Sequence, residues 1–459
     1  MAAVCVWRAG LLGGAFAKRE AVGRGVAMNA AFDKSLPHIV VVGGGFGGLT
    51  FARGFPQGLA RITVIDRQNH HVFQPLLYQV ATAGLSAVDI AQPIRGLFGG
   101  RPNLDVLMSE VSAVDLAGKR VVHARGELTY DYLVLAVGAR TSYFGHDAWQ
   151  RLAPGLKSLD DALRIRRMIL SSLERAETES NPARRDAAMT IVVVGGGPTG
   201  VELAGAFAEL TRCVVQKDFD HIDPTKVKVI LIQGGARVLP TFAEMLSARA
   251  QEQLEAKGVT VITGRHVEAI RSGAVVVGGE TIASDNIIWA AGVAAEPLTE
   301  TLGIEHDRGG RLKVLPDLSL PGHPEAFAVG DIVTLTDANG VVVPGVAQAA
   351  IQMGRHVTGL IESDIRGRGL APVGRRPFTY RDKGAMATIG RSAAVAEIGR
   401  FKLSGFFAWL VWLAVHLLFL IGFRNKFAVL SQWLYSYLTF KRGARIITGV
   451  SGEASAGSA

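Results

Sequence analysis

Two apolar runs in the chain are short, rich in β-branched residues and followed at once by glycine. They cover residues 38–42 (HIVVV) and 190–194 (TIVVV). Runs of this length and composition are typical of strands that are buried on both faces of a parallel sheet. Each is followed by a segment that can open a helix and then by a second β-branched run, at 61–66 and 227–232. The pattern predicts two strand–loop–helix–strand units in one chain.

The glycines after the first run fit the pattern GxGxxG. This pattern needs glycine for a tight turn, for close approach of a pyrophosphate to the backbone, and for close packing of the helix on the strand. The helix that follows directs its N-terminal amides at the phosphates. Asp66 ends the second run, where a carboxylate is expected to bind a ribose hydroxyl. The candidate contacts of this first dinucleotide are Gly43, Gly45, Phe46, Gly47, Gly48 and Asp66.

The same pattern recurs after the second apolar run, and the next β-branched run leads to Gln233. One chain with two such units is expected to bind two dinucleotides. Since an electron carrier that meets a nicotinamide is usually a flavin, one site for each is the economical assignment. The candidate contacts in the second loop are Gly195, Gly197, Pro198, Thr199 and Gly200.

Other stretches are more specific than either glycine loop. Taken together they resemble the type II NADH:quinone oxidoreductases, the single-subunit NADH dehydrogenases of respiratory membranes. The resemblance extends from residue 37 to residue 447, and it is carried by residues 69–81 (NHHVFQPLLYQVA), 289–293 (WAAGV), 328–331 (AVGD), 347–352 (AQAAIQ) and 382–391 (DKGAMATIGR).

This resemblance implies an α/β fold class: two Rossmann-like dinucleotide-binding domains, for FAD and NAD(P)H, with a C-terminal amphipathic helical region that anchors the protein to a membrane. A discontinuous FAD-binding domain and an NADH-binding domain are expected, followed by a segment at the FAD and quinone sites and by the anchor. Residues 1–36 are interpreted as a leader, either a targeting segment or a misplaced start before Met28. The expected bounds are 37–155 with 297–375, 156–296, 376–400, 401–447, and a tail at 448–459.

The resemblance also assigns the first loop to FAD and the second to NADH. It implies that Asp331 holds the ribityl chain of the flavin, because a carboxylate can accept hydrogen bonds from hydroxyl groups; residues 330–331 alone would read as an ordinary turn. Residues 344–348 are expected to begin a helix whose N-terminus stabilises an anionic reduced flavin. The further contacts implied are Gly138, Gly330, Asp331 and Ala347 for FAD, and Gln233 and Gly292 for NADH.

Four further residues are candidates for the chemistry. By the resemblance, Glu202 lies near both cofactors and couples hydride transfer to quinone reduction, although an acid in the first turn of a helix is also favoured on electrostatic grounds alone. Lys383 is implied to tune the reduced flavin or the quinone, with a surface lysine as the alternative. Gln348 and Gln352 share a helix face and are implied to line the quinone pocket, unless they are merely solvated.

Gln233 departs from the family pattern, which often has glutamate there. A carboxylate binds the ribose diol and repels a 2′-phosphate, whereas an amide only accepts the hydrogen bond. NADH remains the expected donor, and the lost charge, with Arg237 nearby in sequence, predicts that NADPH is tolerated better than in typical relatives.

The C-terminal segment is basic and apolar. Residues 400–445 contain no acid and seven lysines or arginines. Residues 406–423 form an apolar stretch for which three interpretations stay open: a transmembrane helix, a buried core or dimer helix, and an interfacial anchor. The resemblance favours the anchor, with these helices also helping dimerisation, and residues 427–440 are expected to form an amphipathic helix. The net charge of +9 therefore points to lipid, and no nucleic-acid module is recognisable.

The predicted activity is FAD-dependent transfer of electrons from NADH to ubiquinone or menaquinone, without proton pumping or a metal. The expected location is peripheral, on the cytoplasmic face of a bacterial inner membrane, with a mitochondrial inner membrane as the alternative and a homodimer as the assembly. Disulfide and sulfide oxidoreductases need paired reactive cysteines, and Cys5 and Cys213 form no such pair. A soluble ferredoxin reductase would not need residues 401–447, and a flavoprotein kept for binding or signalling would not oxidise NADH rapidly with quinone.

Overall fold

The computed structural model describes residues 35–367, 374–439 and 444–447. Nearly all of the leader predicted at 1–36, the tail predicted at 448–459 and Phe440, the last residue of the predicted amphipathic helix, lie outside the described residues.

The described part of the chain forms strands and α-helices, and its last two elements are helices. The strands are β1 (His38–Val42), β2 (Arg61–Asp66), β3 (His70–Val72), β4 (Ala91–Pro93), β5 (Leu104–Met108), β6 (Val111–Asp115), β7 (Arg120–His123), β8 (Gly126–Thr129), β9 (Tyr132–Leu135), β10 (Ala139–Thr141), β11 (Thr190–Val194), β12 (Lys228–Gln233), β13 (Val259–Thr263), β14 (Val267–Arg271), β15 (Ala274–Val277), β16 (Glu280–Ala283), β17 (Asn286–Trp289), β18 (Val293–Ala295), β19 (Leu312–Lys313), β20 (Ser319–Leu320), β21 (His323–Ala328), β22 (Val333–Thr334), β23 (Ala385–Gly390), β24 (Ala393–Ile398) and β25 (Phe401–Ser404). The helices are α1 (Phe46–Gly54), α2 (Leu77–Ala81), α3 (Ala87–Ile90), α4 (Ile94–Leu97), α5 (Leu159–Thr178), α6 (Pro182–Met189), α7 (Pro198–Asp218), α8 (Glu244–Ala256), α9 (Ala347–Arg366), α10 (Phe406–Phe419) and α11 (Phe423–Thr439).

The first of two large sheets has six strands in the order β20-β21-β9-β1-β2-β5. All neighbours in it are parallel except β20 and β21. Every residue of β1 is buried, which explains why the sequence of this strand shows no polar alternation. The strands predicted at 38–42 and 61–66 are confirmed with their bounds.

The second large sheet is parallel throughout and has the order β13-β12-β11-β17. Its central strand β11 is also completely buried. Strand β12 begins at Lys228 and includes Gln233, one residue later at each end than the predicted run. The chain crosses from the first sheet to the second through β10 and returns through β18, and these two crossing strands pair with each other antiparallel. The two large sheets, one parallel throughout and one parallel except at its β20 edge, confirm the predicted fold class.

The two C-terminal helices pack on the protein and also expose much apolar surface. In α10 the inward residues are Ala408, Trp409, Trp412 and His416, and alanines of β24 lie under the first two. In α11 the inward residues are Asn425, Val429 and Trp433. Within the described ranges, no helix combines the length and apolar character needed to cross a bilayer.

The predicted bounds of these helices were partly wrong. The apolar stretch 406–423 is not one helix, because α10 ends at Phe419 after 14 residues and α11 begins at Phe423, four residues before the predicted start. Gly422 lies in the turn between them with a φ of 85°, a left-handed conformation that glycine adopts readily and that stops a helix.

Candidate active site

The first glycine loop connects β1 to α1. Gly43 has a φ of 105°, and a Cβ there would collide with the carbonyl oxygen of Ala136. A Cβ on Gly48 would collide with the carbonyl oxygen of Gly43. By contrast, the nearest atom to a Cβ on Gly45 would be 4.0 Å away. The fold itself therefore requires the outer glycines, whereas the middle one presents an open face, as close approach of a pyrophosphate requires.

The second loop, between β11 and α7, repeats this geometry. Gly195 has a φ of 109°, and a Cβ there would lie 2.6 Å from the carbonyl carbon of Ala290. A Cβ on Gly200 would collide with the carbonyl oxygen of Gly195, whereas a Cβ on Gly197 would meet nothing within 4 Å. Both loops thus combine two structural glycines with a middle glycine that is open to a ligand.

The side chain at the end of the second strand binds its own loop in both units. Asp66 Oδ2 accepts a 2.6 Å hydrogen bond from the Gly44 amide, and Gln233 Oε1 accepts a 2.8 Å hydrogen bond from the Gly196 amide. Asp66 Oδ1 also accepts from the Gln68 amide at 2.7 Å. Burial raises the pKa of Asp66, and these two amide bonds partly offset that effect. An amide at 233 therefore keeps the contact with the loop and loses only the charge.

A buried histidine beside the first loop has an unused acceptor. His71 Nδ1 donates to the Gly44 carbonyl oxygen at 3.0 Å, and burial lowers the pKa of His71 to about 4, so that its ring is neutral. Its Nε2 atom is then an acceptor, and it has no hydrogen-bond partner among the described residues. The open face of Gly45 and this orphaned acceptor both fit a dinucleotide that carries hydroxyl groups.

Asp331 lies where the first sheet meets α9. It follows β21 in a short turn, and a Cβ on Gly345 would lie 3.6 Å from Asp331 Oδ1. The predicted helix start at 344–348 is confirmed, since α9 begins at Ala347. Lys157 faces the same carboxylate: burial lowers the pKa of Lys157, and the charge of Asp331 acts in the opposite direction. Lys157 is a cation at this site that the sequence did not predict.

Glu202 lies one turn into α7, where that helix packs on β23. The close packing depends on Gly205, because a Cβ there would collide with the Ile389 carbonyl oxygen. Glu202 keeps some exposed surface, but protein encloses its carboxyl group and raises its pKa to about 8. The Thr388 amide and the Trp412 indole act against this rise. Trp412 Nε1 nevertheless has no hydrogen-bond partner of regular geometry within the described structure.

The aromatic residues around Glu202 come from distant parts of the chain. Burial, followed by the charge of Glu202, raises the pKa of Tyr78. Trp412 stacks on His416 with ring centroids 4.1 Å apart, and His416 meets Phe73 edge-on at 6.3 Å. Burial lowers the pKa of His416 to about 4, so that this ring is also neutral. These neighbours were missed because residues 406–423 read as an anchor and nothing in their spacing points to residues 73–78.

The structure brings Gln348, Gln352 and Lys383 together. Gln348 Nε2 donates to the Gly384 carbonyl oxygen at 3.0 Å and its Oε1 accepts from the Lys383 amide at 3.2 Å. Gln352 forms the same pair of bonds with the backbone of Arg381, at 2.9 and 3.0 Å. Both side chains thus hold the segment 381–384, and each amide retains one further N–H. The exposed Lys383 ammonium lies 5.9 Å from the ring centre of Phe419 at the end of α10.

Two further predicted residues, Gly138 and Gly292, lie at the two crossings between the sheets. Gly138 has a φ of 77° and its carbonyl oxygen accepts from the Glu296 amide at 3.3 Å. Gly292 has a φ of 82°, and the ring of Phe144 occupies the space that its Cβ would need. Phe46 starts α1 and meets His71 edge-on at 5.0 Å.

Two parallel sheets, each with a glycine loop that is open to a pyrophosphate, define the class of protein: an oxidoreductase that binds two dinucleotides. The family model described as pyridine nucleotide-disulphide oxidoreductase matches residues 37–354, and the model described as NDH2 C-terminal domain matches residues 383–442. The type II NADH:quinone oxidoreductase Ndh of Mycobacterium tuberculosis is 44% identical over 423 residues, which cover 89% of this chain and 90% of that protein. The chain belongs to the type II NADH:quinone oxidoreductase family.

Solved structures share the fold. NDH2 from Plasmodium falciparum in complex with RYL-552 matches with a TM-score of 0.83 and 21% identity, covering 90% of this chain and 100% of that one. NDH2 from the same organism in complex with NADH matches with a TM-score of 0.82 and 22% identity, covering 89% and 99% of the two chains. The family identifies the chain as an oxidoreductase that uses FAD and NADH, which confirms the predicted cofactors.

Proposed function

We propose that this chain catalyses the oxidation of NADH by a membrane quinone through bound FAD. The observation that carries the proposal is the contact between Gly205 of the second loop's helix and Ile389 of β23. It joins the second nucleotide unit to the segment 381–391, which contains Lys383 and whose backbone binds the side chains of Gln348 and Gln352. Steady-state NADH oxidation with a water-soluble quinone tests the proposal, and a purified protein that retains no flavin would refute it.

FAD, when bound, supplies the hydride acceptor for NADH and the electron pair for the quinone. The chain's own residues would bind and orient the cofactor and the substrates, and would move protons. The first loop and Asp66 would hold the adenosine and pyrophosphate of FAD, and Asp331 would accept from the ribityl hydroxyls. The N-terminus of α9 would place amide dipoles near the flavin and stabilise negative charge there. The second loop and Gln233 would hold NADH.

Glu202 would act as the proton donor on the quinone side. With a pKa of about 8 its carboxyl group holds a proton at neutral pH, and a donor is effective when its pKa lies near the working pH. Quinone reduction consumes two electrons and two protons, so a protonated carboxyl group near the quinone would supply one of these protons. The free N–H groups of Gln348 and Gln352 would donate to a quinone carbonyl, and Lys383 would attract its developing negative charge.

Replacing Gln233 with Glu is expected to increase the preference for NADH over NADPH about tenfold. A carboxylate there would repel the 2′-phosphate, and a tenfold change corresponds to about 1.4 kcal/mol, a small charge–charge interaction in partly screened surroundings. The measurement is the ratio of kcat/KM for the two nucleotides. Gln233→Asn serves as the uncharged control, and a native enzyme that already rejects NADPH as strongly as the Glu variant would contradict the hypothesis.

The proposal includes a peripheral position on the cytoplasmic face of a bacterial inner membrane, or on a mitochondrial inner membrane, as a homodimer and without proton pumping. Its support is an apolar face on α11, formed by residues that are 49–86% exposed: Phe423, Phe427, Leu430, Leu434 and Leu438. Exposing five such apolar side chains on one face to water is unfavourable, and a lipid surface would cover them.

Changing Leu434 and Leu438 on this apolar face to Ser is expected to weaken vesicle binding by at least 100-fold. Burial of a leucine contributes about 1.5–3 kcal/mol, so two leucines suffice for that factor. Flotation with vesicles measures binding, and flavin content with the melting temperature checks the fold. Val293→Ser and Leu315→Ser, at exposed apolar residues outside the C-terminal helices, form the matched control. Unchanged flotation of the α11 variant would exclude this face as the docking surface.

A further inference from the structure

A cavity of about 510 Å³ opens beside the turn between α10 and α11. Its walls combine two cations, one amide and apolar side chains, and no carboxylate is among the described residues that line it. The residues that matter here are Arg53, Gln92, Leu97, Ile421, Phe423 and Lys426.

Hydrogen bonds between separate elements hold the mouth of this cavity in place. Gln92 Nε2, on β4, donates to the Ile421 carbonyl oxygen at 2.9 Å, and Lys426 Nζ donates to the Leu418 carbonyl oxygen at the end of α10 at 2.8 Å. Arg53 lies in the last turn of α1, and Arg101 Nη1 donates to the Arg53 carbonyl oxygen at 2.9 Å. The two cations are therefore brought together by tertiary structure, and neither forms an ion pair with a carboxylate of the described chain.

The cavity borders the apolar face of α11. Phe423 belongs to both, and its side chain is 86% exposed. A bilayer that covered this face would bring its phosphate groups to the level of Arg53 and Lys426. A quinone ring is neutral and gains little from two cations, whereas a phosphate diester gains charge-assisted hydrogen bonds from both.

We propose that this cavity binds the phosphate of one anionic phospholipid, with the acyl chains lying along Ile421 and Phe423. The inference rests on the membrane position proposed above and goes beyond it, because it predicts one specific lipid per chain rather than diffuse attraction to a charged surface. Arg53 and Lys426 would donate to the phosphate oxygens.

Native mass spectrometry with short-chain phosphatidylglycerol tests the site. The wild-type protein is expected to retain one lipid per chain, and Arg53→Gln/Lys426→Gln is expected to bind it at least tenfold more weakly. Arg400→Gln/Lys402→Gln, which removes the same charge outside the cavity, should bind like the wild type. Equal binding by the cavity variant, equal binding of short-chain phosphatidylcholine, or displacement by inorganic phosphate at equal concentration would overturn the proposal.

Vesicle flotation of the same proteins separates this inference from membrane docking. A protein that floats with vesicles but retains no phosphatidylglycerol would overturn the lipid site alone. A protein that retains one phosphatidylglycerol but does not float would overturn the docking proposal alone.

A second, independent feature is a strained aromatic residue at the crossing between the sheets. Phe144 has a φ of 52°, which is rare for a bulky residue, and its side chain is 67% exposed. Its ring meets Trp289 edge-on at 6.4 Å, and Trp289 Nε1 donates to the Ser142 carbonyl oxygen at 2.8 Å, which fixes the turn. Such strain persists where the surroundings enforce it, and often where a residue has a function.

Phe144 also borders the predicted path of NADH. Its ring covers Gly292, just beyond the carboxyl end of β17, and β17 pairs with β11 where the second loop begins. From Gly292 the chain continues into β18 and returns to the first sheet. The end of NADH that points this way is the nicotinamide, because that end must meet the flavin.

We infer that Phe144 stacks on the nicotinamide ring, an inference that depends on the NADH site proposed above. Phe144→Ala is expected to weaken NADH binding about fivefold to tenfold in rapid-reaction flavin reduction, and Phe144→Tyr by less than twofold. Inhibition by AMP, which occupies only the adenosine end, should not change. If Phe144→Ala weakened AMP binding as much as NADH binding, or did not affect NADH binding, the stacking role would be overturned. Absence of flavin reduction in the wild type and in every variant would instead refute the proposed function.

Discussion

Gly197→Ala is expected to lower kcat/KM for NADH about 100-fold and to leave the flavin in place. A Cβ at this position meets nothing within 4 Å, and the backbone of Gly197 is not in the left-handed region, so the fold accepts alanine. The added methyl group would occupy the space that the pyrophosphate must enter, and a displacement of about 1 Å at a reacting centre can cost a factor of 100. Rapid-reaction reduction of the flavin by NADH measures the effect directly.

Two further glycine substitutions make this result interpretable. Gly99→Ala also adds a methyl group at an exposed glycine, but outside both loops, and should leave kcat/KM unchanged. Gly200→Ala places a Cβ against the Gly195 carbonyl oxygen and should reduce folded yield as well as activity. If Gly197→Ala kept its flavin and reacted with NADH within threefold of the wild type, the nucleotide would not cross this loop.

Glu202→Gln is expected to slow quinone reduction about 100-fold, the lower range for loss of a general acid. Flavin reduction by NADH should stay within about threefold, because the second loop is unchanged. Because the pKa of Glu202 is about 8, wild-type turnover should fall above that pH as the proton is lost, whereas the variant should be slow and insensitive to pH in this range. Separate measurement of the two half-reactions distinguishes this role, and equal slowing of both would contradict it.

The same substitution has a consequence for stability with a definite sign. The pKa of Glu202 rises from an ordinary 4.5 to about 8 on folding, so the folded protein binds the extra proton between these values. Its contribution to stability is complete below pH 4.5 and is lost as the pH rises through 8. Glu202→Gln should therefore melt at a higher temperature, relative to the wild type, at about pH 9 than at about pH 5. Glu174→Gln, at an exposed acid, should show no such difference.

The sequence predicted the parts of the site that depend on local pattern. The runs at 38–42 and 190–194 are each followed by glycines at positions where a side chain would collide with the backbone. The strands and the loops could therefore be predicted from local sequence. Finding that pattern twice predicted two dinucleotide-binding units, and the family resemblance implied the fold class. The predicted start of α9 held for the same reason, since it rests on neighbouring residues.

The parts that could not be predicted depend on contacts between distant segments. Trp412 reaches Glu202 across more than 200 positions, and its own segment is apolar enough to read as an anchor. The division of that segment at Gly422 depends on a turn that Gln92 of β4 fastens through the Ile421 carbonyl oxygen. The amides of Gln348 and Gln352 were expected to face a ligand, and their bonds to the backbone of 381–384 appear only once the two segments are adjacent.

The burial of Trp412 bears on how a water-soluble form of this enzyme could be made. Its side chain is only 1% exposed and belongs to the main hydrophobic core, together with residues of α5, α7 and β11. Removing the last two helices would leave a cavity beside Glu202. It would therefore destabilise the hydrophobic core as well as remove the proposed membrane contact. A soluble form would instead require polar substitutions of the exposed apolar residues of α11, while Val429 and Trp433 on its inward side stay unchanged.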